Sequence, residues 1–267
     1  MMDLLQYEFF RHALLGSLLT AIICGIIGTY IVARRLLFIS GGITHASFGG
    51  LGLGCFLNIN PALMALAFAV LSAFGVEWSS KKFIREDSAI AAIWSLGMAV
   101  GVIFIFLTPG YSMDLSSYLF GNILTITMTD IICSLILAVI LVVLFALFSN
   151  EIISIAFDRD FASTQHLHVR IIEYVMIFFI ASTIVLSIRL MGIMLLLSLL
   201  TLPQITTNLF TADFRTIIGG SIIIGFIGCT AGLLLSYFLN VPSGAFIVLI
   251  LVVFFLVAKA IKAILKR

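Results

Sequence analysis

Apolar residues in this chain gather into long stretches separated by brief polar interruptions, with neither the alternation of a half-buried strand nor the one-sided stripe of a soluble helix. A helix needs ~20 apolar residues to cross the hydrocarbon core of a bilayer. By that measure the pattern predicts an all-α polytopic membrane protein of nine spans, near 12–33, 43–57, 61–77, 89–107, 130–149, 170–188, 190–204, 216–239 and 244–264. The second and seventh are short. Short or glycine-interrupted spans are tolerated where protein or a cavity covers their backbone, and broken helices often flank a transport path.

Lysine and arginine are held on the cytoplasmic side of a membrane, so their positions orient the spans. Nine alternating spans put Arg34, Arg35, Lys81, Lys82, Arg85, Arg159, Arg170, Arg215, Lys259, Lys262, Lys266 and Arg267 on one face, and only Arg11 and Arg189 on the other. The carboxyl terminus is then cytoplasmic and the amino terminus outside. Merging 190–204 into its neighbour sends Arg215 and the basic tail to the face opposite the other cations, which favours nine spans over eight.

Composition agrees with the pattern. Of 267 residues 63% are hydrophobic and 10% charged, and mean hydropathy is +1.30, well beyond an ordinary soluble domain. A net charge of +2 without a basic cluster excludes nucleic acid as the partner. Cys24, Cys55, Cys133 and Cys229 lie far apart in apolar runs and read as small core residues, without the paired spacing of a zinc or redox motif. Met1–Arg11 lacks the basic start of a cleavable signal. The polar connections are too short to fold alone, so residues 1–267 read as one membrane domain, and any ATPase, receptor or catalytic module must be another polypeptide.

The polar interruptions carry the candidate chemistry. Between Ile39 and Gly54 stand His45, the hydroxyls of Ser40, Thr44 and Ser47, and six glycines, including Gly41. A histidine at membrane depth is costly unless it faces the bundle interior or water. His45 therefore reads either as a pathway contact or as a hydrogen-bonded helix tie. The hydroxyls read either as donors to a partly hydrated ion or as helix caps. Glu86-Asp87 reads as a capping or paired couple, with a cation attractor as the minority reading, and Asp114 and Asp130 as outer-face charge. The segment 156–169 reads as a short amphipathic helix, with Phe157, Phe161 and Leu167 on one side and Asp158, Arg159, Asp160, Gln165 and His166 wet, either lying on the bilayer or docking a soluble partner. The outer loop Thr108–Thr129, with Tyr111, Tyr118 and Phe120, suits the membrane interface. Gly50-x-x-x-Gly54 and Gly228-x-x-x-Gly232 allow close helix approach, within one chain or between copies.

Five of these segments, in order and spacing, resemble the permease subunits of ATP-binding-cassette importers for zinc, manganese and iron. Arg34-Arg35-x-x-Phe38 with Thr44-His45-Ala46 is similar to the family's Gly-Asp-x-x-Ser-His-Ala stretch, and Ser117-Tyr-Leu-Phe-Gly-Asn122 to its outer-loop motif. Phe157-Asp-Arg-Asp-Phe-Ala162 resembles the segment that couples to the ATPase. Arg189-Leu-Met-Gly192 running to Leu199-Leu-Thr-Leu-Pro203, and Val241-Pro-Ser-Gly-Ala245, resemble the last two signatures. The resemblance implies a type II importer permease working as a pair of copies, driven by two cytoplasmic ATPase subunits and fed by an external binding protein. It implies coupling roles for Asp158, Arg159, Asp160, Phe161, Ala162 and His166. The lack of a Walker-type phosphate loop agrees, because the ATP must then be cradled elsewhere.

Two positions depart from the resemblance. The family carries an aspartate one helical turn before the histidine, where this chain has Gly41, and a glycine in the coupling segment where it has His166. Imidazole without carboxylate suits zinc, copper, iron or nickel better than manganese. The expected cargo is a divalent transition metal, zinc first, with manganese, iron or a metal chelate as alternatives. Met191 and Met194 form no methionine pair of a copper box. An intramembrane enzyme using His45 lacks partner side chains, and an ion-coupled carrier lacks intramembrane carboxylates.

Overall fold

The computed structural model describes residues 6–82, 85–109, 126–239 and 241–265. Within them the regular elements are all helices: α1 (Glu8–Ala33), α2 (Leu37–Leu57), α3 (Pro61–Lys82), α4 (Glu86–Leu107), α5 (Met128–Phe157), α6 (Arg159–Thr164), α7 (Val169–Leu199), α8 (Leu202–Asn208), α9 (Phe214–Leu239) and α10 (Ser243–Leu265). Among the described residues six segments are long and apolar enough to cross a membrane: Glu8–Ala33, Asp87–Leu107, Met128–Phe157, Val169–Asn208, Phe214–Leu239 and Ser243–Leu265. Pro61–Val76 is a shorter apolar helix, and α2 adds 21 glycine-rich residues. The outer-loop readings at Tyr111, Asp114 and Ser117–Asn122 lie outside the described residues.

Three expected boundaries move, each for a local reason. The span expected at 43–57 begins at Leu37, because its glycines stay helical instead of breaking the element. The span expected to stop at 149 bends at Phe148 (φ −117°, ψ 20°) and continues to Phe157. The break expected at 189 falls at Gly192, whose φ of 76° and ψ of 169° suit only a residue without Cβ. The second stop comes at Leu200-Thr201, before Pro203 in the first turn of α8, where a missing N–H costs nothing.

Contacts divide the chain into two units. The first holds α1, α5, α6, α7 from Ser187 onward, and α8 to α10. Within it α1 is the buried member: Ile23, Ile27, Tyr30 and Ile31 are fully enclosed. Helices α9 and α10 form a hairpin in which Gly228 and Gly232 seat Leu251 and Ile247. The small-residue repeat there serves packing within the chain. Ser236 closes the hairpin, its Oγ donating to Val241 O at 2.6 Å while its own carbonyl accepts from Val241 N at 3.3 Å.

Each end of this unit is marked by polar ties. At one end Arg34 Nη1 donates to Ile155 O (3.0 Å) in the last turn of α5, where carbonyls lack helical partners. Arg215 Nη2 donates to Ser149 Oγ (2.8 Å) and Asn150 Oδ1 (2.9 Å), just past the bend at Phe148. Asp213 caps α9, accepting from Thr216 N at 2.8 Å and Thr216 Oγ1 at 2.6 Å. Those bonds, with Arg215 beside it, hold its carboxyl below the usual range. At the other end Asp130 forms a capping box with Thr127 at the start of α5 and pairs with Arg189 at 3.2 Å. Asp130, expected as outer-face charge, thus caps a helix and holds an ion pair, and Arg189, an exception to the charge map, has a carboxylate beside it. His12 Nδ1 lies 3.2 Å from Ile126 O at the same end. Of the four cysteines, Cys24 and Cys229 are buried as expected, but Cys133 is exposed and Cys55 half-buried.

The second unit holds α2, α3, α4 and Arg170–Leu186. Helix α2 lies between α3 and α4. Gly50 and Gly54 face Met64 and Pro61 of α3, while Gly49 and Gly52 face the backbone of Gly97 and Gly101 on α4. Gly97 in turn rests on the main chain of Ala46. Without an aqueous hydrophobic force between helices, such backbone contact supplies the dispersion that holds them. Helix α2 ends in a left-handed Asn58 (φ 53°), with Ile59 N donating to Gly54 O at 3.0 Å and Asn58 N to Cys55 O at 3.3 Å, a Schellman stop. Phe74 and Tyr174 meet edge to face at 5.4 Å, joining α3 to α7.

The expected helix at 156–169 is shorter than its pattern suggested. Asp158 Oδ1 caps α6 by accepting from Asp160 N (3.1 Å) and Phe161 N (2.9 Å), and only Ala162 of its residues is buried. Phe157 turns back against Phe214, ring centroids 6.4 Å apart. A second Schellman stop ends α6: Leu167 N donates to Ala162 O and His166 N to Ser163 O. That geometry puts His166 at φ 58°, the left-handed position where glycine is preferred, which accounts for the family's glycine there. His166→Gly is therefore expected to leave stability unchanged or raise it, whereas His166→Val should cost about 1–2 kcal/mol. Thermal melting of the detergent-solubilised protein checks both, and equal melting of the two variants would contradict the strain argument.

Candidate functional site

His45 sits in the middle of α2, half-buried, with its ring against α4. Its imidazole stacks on the Trp94 indole, centroids 4.2 Å apart and planes 10° from parallel. Its Nδ1 lies 3.4 Å from Met98 Sδ. Trp94 and Met98 are one helical turn apart, so both project toward His45 from the same face of α4. The backbone fixes this meeting. Gly97, between them in sequence, takes the Ala46 main chain against its α-carbon, and a Cβ there would also crowd His45 O at 3.1 Å.

Gly41, one turn before His45, is buried, and a Cβ built on it would stand 3.6 Å from Trp94 Cζ3. The indole thus occupies the space beside the position where the family pattern has its carboxylate. Ser40, Thr44 and Ser47 are enclosed, at 0%, 0% and 1% exposure. Their hydroxyls donate within α2, to Leu36 O at 2.9 Å, Ser40 O at 2.7 Å and Thr44 O at 2.6 Å. None of them caps the helix, whose preceding residue is Leu36. Among the described residues no three His, Cys, Asp or Glu side chains converge as a metal cage. The arrangement offers a borderline nitrogen and a soft sulfur, without a hard oxygen.

The expected coupling residues form a separate patch. Asp158, Arg159, Asp160 and His166 are exposed, Phe161 is 54% exposed, and Ala162 is fully buried beneath them. Trp94, Met98 and Gln204 escaped the sequence reading. A lone Met98 one turn from a tryptophan carries no signal until α2 and α4 are brought together. Gln204, fully buried, donates from Nε2 to Cys24 O at 2.8 Å and Leu199 O at 3.0 Å. It ties α1 to the turn between α7 and α8.

Comparison with known proteins agrees over the whole length. The pattern of the ABC 3 transport family matches residues 6–262. A probable metal transport system membrane protein of Thermotoga maritima is 33% identical over 254 residues, 95% of this chain and 90% of that one. The manganese transport system membrane protein MntC of Listeria monocytogenes is 30% identical over 256 residues, 96% and 91% of the two chains. Among solved structures, PsaBC from Streptococcus pneumoniae in complex with Fab is similar at a TM-score of 0.88 and 27% identity, covering 96% of this chain and 93% of that one.

A helical, multi-pass membrane protein of this fold is a transport subunit of the bacterial plasma membrane. The chain belongs to the ABC 3 transport family and is a metal-cation permease of the ATP-binding-cassette class, with ATP hydrolysis left to a separate partner chain.

Proposed function

We propose that this permease imports a divalent transition-metal ion, zinc in preference to manganese, along a path that passes His45. The observation that carries the reading is the neighbourhood of Gly41: the carboxylate of the family pattern is missing, and Trp94 stands 3.6 Å from where its Cβ would begin. Manganese favours oxygen donors, while imidazole suits zinc. The manganese transporter of Listeria among the relatives supports manganese as the second reading.

In this reading the chain acts as one permease domain, pairs with a second copy, and takes its ion from an external binding protein. Its amino terminus is outside and its carboxyl terminus cytoplasmic. The basic end of the first unit, with Arg34 and Arg215, is the cytoplasmic end, and α6 beside it meets the ATPase. Support for that role comes from Phe161, a large apolar ring 54% exposed on a polar segment, since aromatic rings are enriched where proteins dock. Asp158 keeps α6 in shape, and His166 sets the turn that follows.

Proteoliposomes containing the permease, its ATPase and its binding protein are expected to take up zinc in an ATP-dependent way, and the permease alone to take up none. His45→Ala should lower uptake by at least about ten-fold. Gly41→Asp should shift preference toward manganese, since it restores the hard donor. Uptake by the permease alone, or a metal preference unmoved by Gly41→Asp, would contradict this account.

A further inference from the structure

Position 41 is flanked by α4: a Cβ there would make ordinary contact with Trp94, 3.6 Å away. The Trp94 indole lies against Gly41 and over the His45 ring, and the next turn of α4 brings Met98 sulfur to 3.4 Å from His45 Nδ1. We propose that His45 Nδ1 and Met98 Sδ together hold the ion in passage, and that this nitrogen–thioether pair, walled by Trp94, selects thiophilic zinc-like ions against manganese. The proposal rests on the transport reading above and names what makes that site selective.

The spacing suits a shared ion. With a metal–nitrogen bond of ~2.0–2.1 Å and a thioether bond no shorter than the ~2.3 Å of a zinc–thiolate contact, donors 3.4 Å apart subtend an angle of about 100° or a little less at the metal. That is close to tetrahedral, the geometry preferred by zinc. The donors are also held in place. Parallel stacking on Trp94 fixes the plane of the imidazole, and the seat of Gly97 on Ala46 fixes the depth at which α2 meets α4. The hydroxyls of Ser40, Thr44 and Ser47 are buried, and their protons are committed to carbonyls of their own helix segment.

Chemistry follows from the donor types. Binding at Nδ1 needs the neutral imidazole tautomer with its proton on Nε2, and the thioether gives up no proton. Two neutral donors leave the charge of the ion uncompensated, so the ion keeps water on its remaining positions and leaves readily, as transport requires. Thioether sulfur favours soft ions, and manganese, which prefers carboxylate, carbonyl and water, gains little from it. Gly41 and Trp94 then belong together: the indole that orients His45 lies beside the position that carries no carboxylate.

The test uses the full-length permease with its ATPase partner in lipid nanodiscs. The chain has two tryptophans, so Trp78→Phe leaves Trp94 as its sole indole, and a labelled or tryptophan-free ATPase keeps the signal clean. Cadmium serves as the thiophilic probe and manganese as the hard one. Cadmium is expected to quench Trp94 emission saturably. Met98→Leu, a volume-conserving change, should weaken cadmium affinity by at least about ten-fold while manganese affinity stays the same. A cadmium-to-manganese ratio unchanged by Met98→Leu, in protein that melts normally, overturns the proposal. Uptake in matched proteoliposomes separates the two levels. Cadmium binding through Met98 in a complex that moves no metal upholds the ligand pair and removes the transport reading. Transport whose zinc-to-manganese ratio ignores Met98 does the reverse.

Discussion

Gly97→Ala is expected to cost about 3 kcal/mol or more and to reduce sharply the yield of folded, detergent-solubilised protein. The added Cβ would land on Ala46 Cα, and close to Ala46 N and His45 O, each 3.1 Å away. These are main-chain atoms of a helix, which cannot rotate aside as a side chain can. Relief requires α2 and α4 to separate, and that loses the contacts of Gly49, Gly52 and Gly101 as well. Gly219→Ala is the control, since nothing lies within 4 Å of a Cβ there; alanine should raise helix stability by up to ~1 kcal/mol. Comparable melting of the two variants would show that the glycine seam is not what joins α2 to α4. Any folded Gly97→Ala protein should also lose metal selectivity, because the seam sets the distance between His45 and Met98.

The second large effect is expected at Gln204. Its amide nitrogen serves two carbonyls, Cys24 O on α1 and Leu199 O at the end of α7. Gln204→Leu orphans Leu199 O, whose i+4 residue is Pro203 and offers no N–H, and removes the side-chain tie to Cys24 O, which keeps its place in the α1 ladder; an orphaned buried group costs about 1–3 kcal/mol. Gln204→Glu should be worse despite its similar shape. It turns a carboxylate oxygen toward two carbonyls and buries a charge without a partner. Gly28 has no room to give, since its α-carbon lies directly against the Gln204 amide. Both variants should melt well below the native protein, with Gln204→Glu the lower. Unchanged melting in either would mean that water serves these carbonyls equally well.

Both residues mark where the sequence stops being informative. Gln204 lies five residues after Leu199 but 180 after Cys24, its other acceptor. A glutamine in an apolar run signals a buried polar contact without naming its partner. The repeats at Gly50 and Gly228 were legible as close-packing sites, yet the pair Gly97 and Gly101 went unread although its spacing is the same. The coupling segment was legible as a polar interruption. Its length was not, because Asp158 and the Schellman stop at His166 limit α6 to six residues inside a longer amphipathic pattern.

Hydropathy by itself determined that the chain is a helical membrane protein, because only helices or closed barrels satisfy backbone polar groups in lipid. Residue type alone made His45 the side chain to explain, and the motif order pointed to a metal permease. What stands beside His45 was left to tertiary structure. A helix fixes neighbours one turn away along its own face, which is why Gly41 was readable, but a contact across 53 residues depends on how closely two helices approach. Here the glycines of α2 and α4 set that approach, and it brings Trp94 and Met98 to His45.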